Sequence, residues 1–194
     1  MNITEPLRLA RGSHEKGSGR GCAMNVISWE NGDTEITDLP ACADPMLARI
    51  IQYRNDQHCP DTRRGLLCPS CSVEVLALAH RTVGTSSHGL GVPELEEVWT
   101  QVAADQVVQV ANGIPFYVHV ASSDLADLKS GHLGNAEWLT AHIHLFAAWA
   151  APERAMELAH RAIDVFCELT GVQPSPVAPD VTATAIENMR TVAQ

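Results

Sequence analysis

The sequence predicts a mainly α fold, a compact multi-helix single domain with at most one short extended segment near residues 114–121. Apolar side chains recur at helical spacing in most segments, helix-capping residues stand at segment ends, and only one run alternates with the period of a strand. The chain has 194 residues, of which 45% are hydrophobic, so it can bury a core. We expect residues 1–20 to form a flexible N-terminal arm, whose Leu7 and Leu9 are able to dock on the body, and residues 21–194 to form a single helical domain.

The first two predicted helices have clear end signals. One begins near Cys22 and stops at Asn31 and Gly32, two residue types that tolerate the left-handed conformation of a helix C-cap. The next opens at Asp44, because Asp is a good N-cap and Pro45 then occupies the first helical position.

A third helix is predicted to be capped by Ser72, directly after the cysteine-rich loop. Glu74 is favourably placed in its first turn, close to the positive end of the helix dipole. The residues expected to face inward are Val73, Leu76, Ala77 and Val83.

The second half of the chain contains the longest helical patterns. A helix is expected to start near Pro93, and another over residues 135–150, ended or bent by Pro152. Residues 153–170 predict an amphipathic helix closed by Gly171. A last amphipathic helix is expected to carry Val181, Ala185, Met189 and Val192. Strand spacing is confined to Ile114, Phe116, Val118 and Val120.

The charge balance narrows the classes of partner. Thirteen basic and twenty-three acidic side chains give a net charge of −10, and no cluster of Lys and Arg is present, so we expect no nucleic acid partner. No apolar run reaches the roughly 20 residues that cross a bilayer, so we expect no membrane partner. The polar N-terminal residues lack the apolar core of a signal peptide, and a cytoplasmic location is expected.

The most informative chemical feature is the pair Cys68 and Cys71 in a C-P-S-C turn, with His58 and Cys59 about ten residues earlier. Such a turn can place two sulfurs on one tetrahedral zinc, and Cys59 with His58 or Cys42 can complete the set. The sequence thus predicts a structural zinc site. Two alternatives stay open: reduced thiols packed as small hydrophobic groups, and a redox pair, although the strand–helix setting of such pairs is not evident.

A second, looser set contains His14, Cys22 and Cys42. These residues can bind one metal ion together, or one of the thiols can act as a nucleophile with the histidine as its base. The simpler interpretation is that both cysteines are buried in the core, as unpaired cysteines commonly are.

His142 and His144 form an H-x-H pair, which on a helix points in nearly opposite directions. The spacing predicts an inner stripe of Trp138, His142, Leu145 and Trp149, with His144 on the outer side. This stripe is interpreted as helix-packing core, with a platform for a planar ligand or a homodimer interface as alternatives.

Residues 13–85 resemble a group of uncharacterised proteins from actinobacteria and actinobacteriophages. The shared pattern is a C-x-M-x-x-V opening, an acidic-Pro-x-Cys turn, a helix ending in Asn-Asp and a later helix running into Gly-Thr. The matching positions are Cys22, Met24, Val26, Asp38, Pro40, Cys42, Asn55, Asp56, Gly84 and Thr85. Asn25 departs from the pattern, because many bacterial relatives have Glu there. The resemblance implies a phage or actinobacterial origin and a cytoplasmic setting, which is the host cytoplasm if the protein is phage-encoded.

No phosphate-binding, hydrolase or metalloprotease motif is present, which favours a non-enzymatic function. The first hypothesis is a helical interaction protein, encoded by a phage or a bacterium, whose partner is a host or cellular protein. The alternative is a zinc-dependent enzyme or a metal-stabilised small-ligand binder that uses the cysteines and histidine of residues 58–71.

Overall fold

The computed structural model describes residues 7–12, 14, 20–60, 65–111, 123, 126–127, 130, 136–150, 152–176 and 182–187. Within these ranges the chain is mainly helical, and its β structure is one isolated bridge, so the predicted fold class is confirmed. The long helices are α1 (Ala23–Asn31), α2 (Pro45–Gln57), α3 (Pro69–His80), α4 (Val92–Ala111), α5 (Ala136–Ala150) and α6 (Pro152–Thr170). The extended segment predicted near residues 114–121 lies outside the described residues.

Contacts along the chain divide it into two compact units. Unit 1 contains Met1–Ser87 and Gln173–Gln194, and unit 2 contains His88–Val172. Helices α1, α2 and α3 pack on one another within unit 1, and α4, α5 and α6 do so within unit 2. The flexible arm over residues 1–20 and the single domain over residues 21–194 stay predictions.

The ends of α1 and α2 follow the signals in the sequence. Gly32 caps α1 with φ 75°, and its N–H donates to carbonyl oxygens of the last turn. The Asp44 carboxylate accepts hydrogen bonds from the backbone N–H groups of Met46 and Leu47, and Pro45 is the first residue of α2. Both caps therefore satisfy backbone groups that a helix end leaves without partners.

Helix α3 begins one turn earlier than predicted, at Pro69 with Cys68 as its N-cap. Ser72 does not cap the helix, because its hydroxyl donates to the Cys68 carbonyl at 2.9 Å from inside the first turn. The inner face also differs from the prediction, since Val73 is 59% exposed. The buried residues of this helix are Cys71, Ser72, Val75, Leu76, Leu78 and Ala79.

A short N-terminal segment is part of the core of unit 1. Leu9 is fully buried, as the docking considered from the sequence requires. Ala10 forms an antiparallel bridge with Leu66, flanked by hydrogen bonds from the Leu67 N–H to the Leu9 carbonyl at 2.8 Å and from the Arg11 N–H to Gly65 at 2.9 Å. This pairing places residues 9–11 beside the backbone that leads into α3.

Residues 173–176, which follow α6, belong to unit 1 and lie beside the end of α3. The Ser175 N–H donates to the Val83 carbonyl at 2.8 Å, and the Gly84 N–H donates to the Cys42 carbonyl at 2.7 Å. A Cβ on Gly84 would lie 3.1 Å from the Ser175 hydroxyl, and its φ of 91° is one that glycine adopts without strain. Glycine therefore permits this close approach.

In unit 2 the three helices share an apolar core, whose members are Ala103, Val107, Val110, Leu139, Ile143, Ala147, Ala155 and Leu158. The predicted facing of α5 is wrong: His144 is fully buried, whereas Trp138 is 46% and Leu145 is 37% exposed. Leu139 and Ile143, four residues apart, carry the packing of this helix instead. The prediction of the buried face failed because both faces of the helix are apolar.

Candidate metal centre

Three thiols converge where α2 ends and α3 begins. The Sγ atoms of Cys59, Cys68 and Cys71 all lie within 4.8 Å of one another. Cys59 lies two residues beyond the end of α2, Cys68 is the N-cap of α3, and Cys71 lies in its first turn. The early start of α3 at Pro69 fixes the two thiols of the C-P-S-C turn relative to each other.

Backbone hydrogen bonds hold this arrangement. The Cys68 N–H donates to the Cys59 sulfur at 3.3 Å, which ties the two parts of the loop together. The Ser72 hydroxyl donates to the Cys68 carbonyl and accepts from the Leu9 N–H at 3.0 Å. The Arg11 guanidinium donates to the Cys59 carbonyl at 3.4 Å. The N-terminal segment and the thiol cluster are consequently parts of one hydrogen-bonded structure.

The three thiols differ in exposure and in acidity. Cys59 is 2% and Cys71 is 9% exposed, whereas Cys68 is partly open to solvent. The Ser70 hydroxyl, 3.2 Å from the Cys68 sulfur, and then the Cys71 backbone lower the pKa of Cys68 to about 7. Burial, and then the hydrogen bond with Cys68, raise the pKa of Cys71 to about 12. The pair therefore favours a thiolate at Cys68 and a neutral thiol at Cys71.

The cluster has dimensions that suit a thiolate-bound metal. A tetrahedral zinc with Zn–S bonds near 2.3 Å needs sulfurs about 3.8 Å apart, so a small inward movement of the side chains suffices. The cluster could thus hold a metal ion. A bound cation favours the deprotonated form of its ligands and would offset the burial that keeps Cys71 neutral.

His58, the fourth residue predicted to bind zinc, does not belong to the group of three thiols. Its Nε2 atom lies 2.7 Å from the Glu74 carboxylate, and 17% of its side chain is exposed. The pair joins the C-cap of α2 to the second turn of α3. The structure thus brings together three of the four residues, and coordination by His58 stays a prediction.

Comparison of the chain with protein-family models, with curated proteins and with solved structures finds no match.

Among the described residues, no helix is both long enough and apolar enough to cross a membrane.

Cys22 and Cys42, considered from the sequence with His14, occupy different surroundings. Cys22 is fully buried, and its sulfur accepts a hydrogen bond from the Gln52 amide at 3.1 Å, whereas Cys42 is half-buried. Burial raises the pKa of both thiols, for Cys22 to about 12. Within the described part of the chain these residues join no group of three metal ligands. A neutral, enclosed Cys22 is suited to packing rather than to nucleophilic attack.

Two buried amides hold the start of α1. Asn25, where the sequence departs from the shared pattern, accepts from the Cys22 N–H at 3.0 Å and donates to Asp38 at 3.0 Å. Asn55, which matches the pattern, accepts from the Ala23 N–H at 3.1 Å and donates to the Ala10 carbonyl at 2.7 Å, so it joins the start of α1 to the end of α2. Both amides satisfy buried backbone groups, which gives them a structural role.

Sequence reasoning missed the polar residues that organise the thiol cluster. Ser70 and Ser72 contact Cys68, and Glu74 contacts His58. Helical spacing was the available signal, because a helix starting at Pro69 places all three residues in its first two turns. A helix predicted to start at Ser72 leaves Ser70 outside it, so this relationship between the three residues is not evident from the prediction.

Proposed function

We propose that unit 1 is a zinc-binding module in which Cys59, Cys68 and Cys71 hold a structural metal ion. The observation that carries this proposal is the convergence of the three sulfurs within 4.8 Å. Sulfur is a preferred ligand of zinc, and three thiolates from one short loop and an adjoining helix are typical of structural zinc sites.

Zinc at this position would add metal–sulfur bonds between segments that are otherwise held together by non-covalent contacts. The end of α2 would be joined to the N-terminus of α3, and α3 is already bonded to the N-terminal segment through Ser72 and Leu9. Binding to the folded form alone stabilises that form by mass action, so metal removal should loosen these elements together.

Elemental analysis of protein purified without added metal tests the proposal. We expect about one zinc per chain, and at least a tenfold lower zinc affinity when Cys59, Cys68 or Cys71 is replaced by Ser. The matched control is Cys167→Ser, in unit 2, which should keep the metal. Metal-free wild-type protein that also fails to take up Zn²⁺ after reduction would reject the proposal.

The role of His58 can be tested separately with Co²⁺ in place of zinc. If His58 is the fourth ligand, His58→Ala should change the visible absorption of the tetrahedral cobalt site, whereas Glu74→Gln should weaken binding only modestly. Unchanged spectra in both variants would assign the fourth position to a group other than His58, such as water.

A second candidate function is the helical interaction protein expected from the sequence, acting on a host or cellular protein. The exposed apolar side chains of Trp138 and Leu145 on α5 favour it, because apolar side chains of this size on one helix face are common at interfaces. Its test is capture of a saturable partner from lysate by wild-type protein and loss of capture in a Trp138→Ser, Leu145→Ser double variant. The cytoplasmic setting and the actinobacterial or phage origin stay parts of this proposal.

A further inference from the structure

The thiol cluster has one accessible sulfur and two enclosed ones. Cys68 is partly exposed, whereas Cys59 is 2% and Cys71 is 9% exposed. A small oxidant arriving from solvent therefore meets Cys68 first. The Ser70 hydroxyl, 3.2 Å from the Cys68 sulfur, adds a hydrogen-bonding group at the point of approach.

Cys71 is the thiol best placed to react with an oxidised Cys68. Residues three apart at a helix start lie on the same side, and the two sulfurs are within 4.8 Å. Rotation about the side-chain bonds can shorten this distance to the roughly 2.05 Å of a disulfide. Cys59 is within the same distance, but its sulfur already accepts the Cys68 N–H.

The backbone around the C-P-S-C turn holds the two cysteines at a helix start. Leu66 forms an isolated antiparallel bridge with Ala10, and α3 begins three residues later, at Pro69. One bridge is not a strand, so what favours a redox pair is the exposure of Cys68 and the short distance between the sulfurs.

We propose that Cys68 is a site of oxidation by hydroperoxides and that Cys71 resolves the oxidised form to an intramolecular disulfide. The Cys68 sulfur attacks one peroxide oxygen, the O–O bond breaks, and an alcohol or water leaves, which gives a sulfenic acid. The Cys71 sulfur then attacks the sulfenic sulfur, the S–O bond breaks and water leaves. Together the two thiols lose two electrons and two protons, and the hydroperoxide is reduced to an alcohol (or water) and water.

This oxidation requires no bound metal. Where zinc is held as proposed above, the disulfide would withdraw two of the three sulfur ligands and release the ion. Cys68 and Cys71 would then make metal retention dependent on the oxidants present, while Cys59 would stay reduced.

The test treats the full-length, reduced, metal-stripped protein with hydrogen peroxide and counts thiols after denaturation. We expect the count to fall from six to four. Trypsin cleaves after Arg64 and Arg81, so Cys68 and Cys71 share one peptide, which should lose the mass of two hydrogens. Cys59 belongs to a different peptide. Six surviving thiols, or any disulfide that joins two peptides, would overturn the proposal.

Two variants give readouts beyond the wild-type measurement. Cys71→Ser should accumulate a sulfenic acid on Cys68 that a dimedone probe labels, whereas Cys167→Ser should lose the same two thiols as the wild type. Absence of dimedone labelling in folded Cys71→Ser would contradict the assignment. Measuring zinc in untreated protein keeps the two proposals distinct, because an internal disulfide in a protein that never binds zinc rejects only the zinc site.

Discussion

Cys22 shows how a single buried thiol can make stability depend on pH. The side chain is fully enclosed at the start of α1, and its S–H donates to Asp38 at 3.4 Å. Burial, and then the negative charge of Asp38, raise its pKa from 9.0 to about 12. The folded state therefore keeps the thiol proton at pH values where the unfolded chain has lost it.

We expect this difference to appear in the free energy of unfolding. The contribution is fully present below pH 9 and is lost as pH rises toward 12, with a slope of at most about 1.4 kcal/mol per pH unit. Urea denaturation between pH 8 and 11 measures it. Cys22→Ala should have a smaller slope than the wild type, and equal slopes would show that Cys22 ionises alike in both states.

The residues of the thiol cluster could be predicted from sequence only in part. The C-P-S-C spacing identifies Cys68 and Cys71, and a third cysteine nearby is a natural addition. Spacing along the chain cannot show that the Cys68 N–H contacts the Cys59 sulfur, or that His58 contacts Glu74. Those contacts depend on where two helices end and begin in space.

At the level of elements, the ends of α1 and α2 were more predictable than helix faces, although α3 begins one turn before the predicted cap at Ser72. The caps at Asp44 and Gly32 act locally, so the sequence alone is sufficient to find them. The facing of α5 depends on its neighbours, because Trp138 and Leu145 are as apolar as Leu139 and Ile143. Tertiary packing decides which of two apolar faces is buried.

Two leucines on α5 test that facing directly. Leu139 is fully buried in the unit 2 core, whereas Leu145 is 37% exposed. We expect Leu139→Ala to lower the free energy of unfolding by about 2–5 kcal/mol, the usual cost of a cavity in a packed core. Leu145→Ala serves as the matched control and should cost less than about 1 kcal/mol. Thermal and urea unfolding followed by circular dichroism would measure both, and equal losses would contradict the facing.

At the scale of the whole molecule, the two units differ in how the chain builds them. Unit 2 is continuous over His88–Val172, whereas unit 1 is assembled from a segment before it and a segment after it. The sequence does mark both boundaries, with Gly84, Gly89 and Gly91 before unit 2 and Pro174, Pro176 and Pro179 after it. Such stretches also connect helices within one domain, and a chain of this length most simply makes one, so the sequence predicted a single domain.

The continuous unit should fold without the rest of the chain. A fragment of residues 88–172 contains every member of the apolar core shared by α4, α5 and α6. We expect it to be helical and to unfold in one cooperative transition when followed by circular dichroism. A fragment of residues 1–87 is the informative comparison, because it lacks the backbone hydrogen bond of Ser175 with Val83 and should be less stable than unit 1 in the full chain. A gradual, non-cooperative loss of helix in residues 88–172 would show that unit 2 depends on unit 1.

The hydrogen bond between Ser175 and Val83 has a consequence for synthesis on the ribosome. Translation completes Cys59, Cys68 and Cys71 first, then all of unit 2, and only afterwards the residues that close unit 1. Chains begin to fold from the N-terminal side while they are being made. The three thiols can thus meet metal ions and oxidants throughout the translation of unit 2, before Ser175 bonds to the backbone that follows α3.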